Sequence, residues 1–189
     1  MIHEPVQRRR RSLRLNGYDY AQAGAYFITL CTQDRACLFG QVVDGAMRLN
    51  DAGEFATRLW HDMPIRFSGL DVDAFVVMPN HIHGILVLSD NAATVGAPLV
   101  GALDKNKAAT RAAPTIGDIV GGFKSSFTVE YIRGVRNDRL PQFDRRVWQR
   151  NYYEHIIRDE PELTRARRYI EENPLRWEFD QENPLRVET

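Results

Sequence analysis

The feature that most constrains this chain is a strand–turn–strand phrase near its middle. Val72-Asp73-Ala74-Phe75-Val76-Val77 is rich in β-branched and aromatic residues, and Ile85-Leu86-Val87-Leu88 is an unbroken apolar run, so both favour extended backbone. Between them Pro79-Asn80 has the composition of the two central residues of a tight turn. The chain is therefore expected to double back here as a hairpin, with His81 and His83 opening the returning strand. Side chains alternate faces along a strand, which sends both imidazoles to one side and Ile82 to the other. Their Cα atoms would be roughly 7 Å apart, close enough for two neutral imidazoles to converge on one metal ion. The turn also places the pair at a sheet rim, where a ligand could reach it.

The remaining elements follow from local signals. Ala25 to Thr32 reads as a strand and Asp44-Gly45 as a hairpin turn. Asn50 or Asp51 caps a helix to about Met63, ended by Pro64. Thr115 caps a second helix with apolar residues at helical spacing to about Arg133, and Gly121-Gly122 within it suggests close packing. Val147 to Ile157 is strand-like. Asp159-Glu160-Pro161-Glu162 opens a last helix, which stops at Asn173-Pro174 because the residue before proline is biased out of the α region. Residues 89–114 lose apolar periodicity and read as a mobile loop. Residues 1–20 read as a basic arm and 178–189 as an acidic tail, strap-like or disordered. No internal repeat is expected. One domain over 21–177 results, an α+β fold with an antiparallel sheet and packed helices.

Composition excludes some functions. No apolar run approaches the ~20 residues of a membrane span. Cys31 and Cys37 are too few for a disulfide framework, so a cytoplasmic protein is expected. Of 25 basic residues 22 are arginine, balanced overall by 25 acids but clustered: residues 1–14 hold five arginines against one acid. Arginine suits bidentate contact with phosphate. Arg8, Arg9, Arg10, Arg11, Lys124, Arg145, Arg146 and Arg150 are the candidate phosphate contacts by charge and position.

Two imidazoles alone leave metal positions open. Tyr169 and Asn173 are four residues apart on the last helix, hence on one face, where Asn173 can offer an amide oxygen and Tyr169 a phenol. Tyr152 and Tyr153 are rival phenols on a strand-like segment. Each of these also has a plain structural reading, as a packing aromatic or a helix terminator.

The phrases Phe75-Val76-Val77-Met78-Pro79-Asn80-His81-Ile82-His83-Gly84, Trp148-Gln149-Arg150-Asn151-Tyr152-Tyr153-Glu154-His155 and Tyr169-Ile170-Glu171-Glu172-Asn173-Pro174 occur in an order that resembles the single-tyrosine HUH transposases, in particular the REP-associated tyrosine transposases (REP, repetitive extragenic palindrome). The resemblance spans about residues 20–177. It implies a ferredoxin-like (RRM-like) sheet, a divalent metal on His81 and His83, and Tyr169 as nucleophile. Asn173 would be the third ligand, at a position where mobile members of the family usually carry the longer glutamine. The implied activity is cleavage and rejoining of single-stranded or hairpin DNA through a 5′-phosphotyrosine link, with Mg²⁺ or Mn²⁺, although imidazole ligation also suits zinc. A nucleoid-associated location and a homodimer, common in the family, are further implications. The alternative is a domesticated protein that binds hairpin DNA without cutting it; a replication initiator or relaxase with the same histidine motif fits a chain this short less well.

Overall fold

The structure is a computed structural model and describes residues 21–94 and 114–186, with the side chains of 91–94 left aside. Strand β1 (Gly24–Cys31) leads through a short hairpin, β2 (Gly40–Val43) and β3 (Ala46–Leu49), into helix α1 (Asp51–His61) and a single turn α2 (Met63–Arg66). Strands β4 (Phe67–Val77) and β5 (His81–Thr94) form the expected central hairpin, followed by α3 (Ile116–Arg136), β6 (Tyr153–Ile157) and α4 (Glu160–Glu172). The main sheet is antiparallel throughout, in the order β4-β5-β1-β6. With β2–β3 set apart as an insertion, this is the βαββαβ ferredoxin-like arrangement in one domain, with α4 appended.

Local chemistry explains the boundaries. Asn50 caps α1 by accepting the Gly53 N–H at 3.1 Å, and Thr115 and Asp118 close a reciprocal capping box on α3. Pro64 falls in the first turn of α2, where its missing N–H costs nothing, so it starts a new turn after Asp62. Three expectations shift. Strand β5 continues to Thr94, because its outer half pairs with Phe67 and Ser68 of β4, so the loop expected from residue 89 begins later. The segment from Val147 is irregular until Tyr153, with Trp148 bridging to Thr32. Of the glycine pair, an added Cβ at Gly121 would meet nothing within 4 Å, while one at Gly122 would touch Phe67 Cζ at 3.4 Å, so only the second glycine packs against a neighbour. The basic arm over 1–20 and the loop over 95–113 lie outside the described residues.

Period-two alternation divides the sheet into two faces. Tyr26, Ile28, Leu30, Ile82, Leu86 and Leu88 face α1 and α3 and join Trp60, Phe123 and Phe127 in the main core. Trp60 stacks on Phe75 (ring centroids 4.8 Å) and lies flat against β5 at Gly84. The opposite face is sparser: Ile85 and Ile157 meet Ile170 of α4, with Leu163 and Ala166 beside them. Polar clamps supplement that thin layer. A bulge in β4 between Val72 and Phe75 presents Asp73, whose two oxygens take Arg167 Nε at 2.9 Å and Nη2 at 2.7 Å.

Two outcomes are expected. A Cβ at Gly84 would come within 2.3 Å of Trp60 Cζ2, so Gly84→Ala should lower the unfolding free energy by about 1–3 kcal/mol through overpacking, measured by urea denaturation; an unchanged midpoint would mean that Trp60 is not seated there. The hydrogen bonds from Arg167 hold the Asp73 carboxyl below its usual range. A depressed carboxylate contributes stability that is complete above the unfolded value, about 3.9, and is lost as pH falls through the folded one. The stability gap between wild type and Asp73→Asn should therefore close as pH is lowered from about 6 toward about 2.

Candidate active site

The two histidines sit on the sparser face of the sheet, at the centre of it. In the β1–β5 register His81 lies opposite Cys31 and His83 opposite Thr29, while Val76 of β4 flanks His83 on its other side. The turn that launches them is locked. Met78 N–H donates to His81 O at 2.8 Å, the Phe39 N–H donates to Pro79 O at 3.0 Å, and the Thr32 N–H donates to Asn80 O at 2.9 Å. The pair is not at an open rim, as its position after a turn suggested. His81 is fully buried and His83 nearly so, because α4 and the segment after it close over them.

Both rings are oriented through their δ nitrogens. Asn80 donates its Nδ2 to the carbonyls of Arg35 (3.1 Å) and Glu182 (2.6 Å), which fixes its amide so that Oδ1 meets His81 Nδ1 at 2.9 Å. His81 must therefore carry its proton on Nδ1, leaving the Nε2 lone pair free. His83 Nδ1 pairs with Thr29 Oγ1 at 2.9 Å, and its ring stacks on Phe27. The two Nε2 atoms are buried without a hydrogen-bond partner, as is Asn173 Oδ1. Burial lowers the His81 pKa against the opposing pull of Asp180 and Glu182, and burial with the neighbouring His81 holds His83 well below the usual value. Both rings are thus neutral donors near pH 7.

The fourth donor comes from the segment assigned to the tail. After α4 the chain makes a 3-10 helix, Pro174–Phe179, and the residues to Arg186 fold back over the histidines as a strap, one of the two forms expected for this stretch. Trp177 lies tilted beside His81 (centroids 6.0 Å). Asp180 Oδ1 accepts the Glu182 N–H at 2.7 Å, and Oδ2 sits 3.9 Å from His81 Nε2. Donor atoms of His81, His83 and Asp180 all lie within 4.8 Å of one another. Arg35 pairs with Glu182 at 3.0 Å and Asn183 Nδ2 holds Trp177 O at 2.9 Å, so the strap is pinned along its length. One signal for this order was present: Glu-Asn-Pro-Leu-Arg occurs twice, at 172–176 and 182–186, and each copy makes the same turn, with the arginine N–H donating to the asparagine carbonyl.

Tyr169 completes the cluster. Its ring is edge-on to His83 (5.1 Å) and to Phe27 (5.9 Å). Burial, then the charge of Asp180, pushes the phenol pKa up, with the nearby Asn173 amide opposing them. Two orphaned imidazole nitrogens, an orphaned amide oxygen and a carboxylate make a mixed nitrogen–oxygen set that suits a divalent cation, and the carboxylate favours Mg²⁺ or Mn²⁺ more than two imidazoles alone would.

The chain has a sheet of the order β4-β5-β1-β6 and a His-x-His pair facing a tyrosine helix. No family model matches it. A Haemophilus influenzae protein, described only as uncharacterized, is 42% identical over 174 residues, 91% of this chain and 92% of its own length. A second protein of that organism, named as a candidate REP-associated tyrosine transposase, is 25% identical over 162 residues, 84% of this chain and 74% of its own. The solved structure of a REP-associated tyrosine transposase bound to a REP hairpin superposes with a TM-score of 0.53 at 16% identity, covering 87% of this chain and 74% of that one, which is a likeness of fold. The chain is similar to REP-associated tyrosine transposases.

The site opens into a groove of about 1300 Å³ between α4 and the edge strand β6. Phe27, Thr29 and His83 lie on its floor, with Tyr169, Asn173 and Asp180 on one side and residues 149–153 on the other. Of the expected phosphate contacts only Arg150 lines it; Arg145 and Arg146 are exposed but outside it, and Arg8 to Arg11 lie outside the described residues. Lys124 is turned inward: its Nζ donates to Gln149 O (3.0 Å) and Asn151 O (3.2 Å) and burial lowers its pKa to about 8. It secures the groove wall instead of facing solvent. Arg165 and Arg176, which charge counting passed over, do line the groove. Tyr152 and Tyr153 both line it, Tyr153 edge-on to Phe27 and Tyr152 beneath Lys124.

If these donors hold a cation, Mn²⁺ at a hundred times its dissociation constant should raise the unfolding free energy by about 2.7 kcal/mol. That gain should vanish in His81→Ala and His83→Ala and shrink in Asp180→Asn, read as a shift in thermal midpoint. A gain that survives His83→Ala would remove the imidazoles as ligands.

Proposed function

We propose that this protein is a metal-dependent tyrosine endonuclease and strand transferase acting on single-stranded or hairpin DNA of the REP type. The observation that carries the reading is the Tyr169 ring 5.1 Å from His83, above a pair of free Nε2 atoms, in a groove lined by arginines. The relative solved with a bound REP hairpin supports the choice of nucleic acid.

Tyr169 Oη attacks the scissile phosphorus, the P–O3′ bond breaks, and the products are a 5′-phosphotyrosine and a 3′-hydroxyl, the phenolic proton passing to solvent and the leaving 3′-oxygen taking one from it. Rejoining reverses these changes, so the bond energy is retained. An ordinary phenol is only about 0.1% ionised at pH 7, a deficit of roughly 4 kcal/mol, and burial of Tyr169 enlarges it. A divalent ion on His81, His83, Asn173 and Asp180 would supply charge stabilisation at the scissile phosphate. Phe27 and His83 hold the Tyr169 ring edge-on between them, which limits the approach to one direction. One chain supplies both the histidine pair and the phenol, so catalysis in cis needs no partner subunit.

Incubation of a labelled single-stranded or hairpin oligonucleotide with Mn²⁺ should yield a covalent protein–DNA adduct stable to denaturant. Tyr169→Phe should abolish the adduct, by at least a hundredfold, while retaining binding. An adduct that persists in Tyr169→Phe moves the nucleophile to Tyr152 or Tyr153, which also line the groove. Binding by the wild type with no adduct in any divalent metal identifies a hairpin-binding protein instead.

A further inference from the structure

Helix α4 lays one stripe along the groove: Glu162, Arg165, Ala166, Tyr169 and Asn173 all line it at three- and four-residue spacing. Its C-terminal end carries the phenol and the candidate ligands. Its N-terminal end carries a pair that the cleavage chemistry does not use. His155, on β6, places Nε2 2.6 Å from Glu162 Oε1. The carboxylate is fixed, because Oε2 accepts the Arg158 N–H at 2.8 Å and the Glu162 N–H is itself held by the helix-capping Asp159 at 2.8 Å. Those contacts, from Arg158 first and His155 second, keep Glu162 ionised by lowering its pKa.

A fixed carboxylate accepts one imidazole N–H and so orients the ring; the doubly protonated ring then presents its second N–H, at Nδ1, to the groove. His155 remains 39% exposed on the groove wall, and its Nδ1 has no hydrogen-bond partner among the described residues. Arg165, one turn along α4 from Glu162, lines the same wall and makes no ion pair among the described residues. A tie between β6 and α4 would explain the Glu162 contact, but such exposed pairs contribute little, and it leaves the free Nδ1 and the unpaired guanidinium unexplained. Glu162 and Tyr169 are seven residues apart, about 10 Å along the helix axis. That is too far for His155 to exchange a proton with the phenol, so its part is binding.

We propose that His155, oriented by Glu162, and Arg165 form a second phosphate clamp that holds the nucleic-acid strand beside, not at, the phosphate attacked by Tyr169. This rests on the nucleic-acid reading of the groove. The occupant is a phosphodiester of the same strand, seated between the imidazole Nδ1–H and the guanidinium.

The test uses the full chain carrying Tyr169→Phe, so that binding is read without cleavage, and a fluorescent single-stranded oligonucleotide at about pH 6, the acidic half of histidine's range. Adding His155→Gln should weaken binding roughly tenfold and reduce the slope of log affinity against log salt by about 0.7, the value for one lost phosphate contact on a single strand. Arg165→Gln, an exposed change that cannot disturb the core, should do the same. With strands carrying one uncharged methylphosphonate at successive positions, a single position other than the cleavage site should weaken the Tyr169→Phe protein while leaving the two double variants unaffected. Double variants that match their parent in affinity and salt slope overturn the clamp alone. Equal losses at every methylphosphonate position also overturn it, showing a structural role. Failure of the parent protein to bind any strand removes the clamp and the proposed function together.

Discussion

The structure depends on the antiparallel pairing of β5 between β1 and β4. Because side chains on a strand alternate, that one pairing assigns Ile82, Leu86 and Leu88 to the core and His81 and His83 to the opposite face. A slip of one residue would exchange them, burying two imidazoles against Trp60 and exposing the apolar set. Gly84 is where the two demands meet: without a Cβ, it lets the Trp60 indole lie on the backbone beside the histidine that faces the other way. The core fixes the register, and the register aims the imidazoles.

The second constraint is polar burial. Two neutral imidazoles and an asparagine amide are removed from water with three atoms unpaired, an expensive arrangement for a purely structural cluster. The surrounding contacts do the opposite of relieving it. Asn80 and Thr29 saturate the δ nitrogens and so reserve the ε nitrogens, while the Glu182 N–H holds Asp180 with one oxygen toward them. Such orientation through outer partners is how ligand sets are held ready for a cation. The strap that contributes Asp180 is itself secured by Arg35, Asn80 and Asn183, so the loop after β1, the central hairpin and the chain after α4 are joined at one place.

The groove follows from where α4 is fastened. Its apolar contacts run through Ile170 and Leu163 to Ile85 and Ile157, and Arg167 ties it to Asp73 on the far side of the sheet. The helix therefore covers β4 and β5 and leaves β1 and β6 open beneath the face that bears Tyr169. A thin apolar layer supplemented by ion pairs suits a functional face, since a thicker core there would fill the space a ligand needs. Lys124, on the opposite side of β1, holds the wall from Gln149 to Asn151 by its main chain, which keeps that wall's shape independent of what binds in it.

Much of this was legible in the sequence because it is local. The strand–turn–strand phrase, the caps at Asn50, Thr115 and Asp159, and the stop at Asn173-Pro174 depend on residues within a few positions of one another, and period-two alternation put both histidines on one face. Tyr169 and Asn173 were found by helical spacing. The arrangement that makes a site of them was not local. Asp180 sits about a hundred residues from His81, in a stretch that read as an acidic tail, and only the return of the strap brings its charge to the ring. Lys124 read as a surface cation, yet two main-chain carbonyls from a distant loop draw it inward. Arg165 and Arg176 differ from Arg145 and Arg146 in nothing but position. The sequence by itself determined which side chains share a face, through backbone periodicity; tertiary structure alone decided which faces meet, because burial and charge pairing act across the fold and not along the chain.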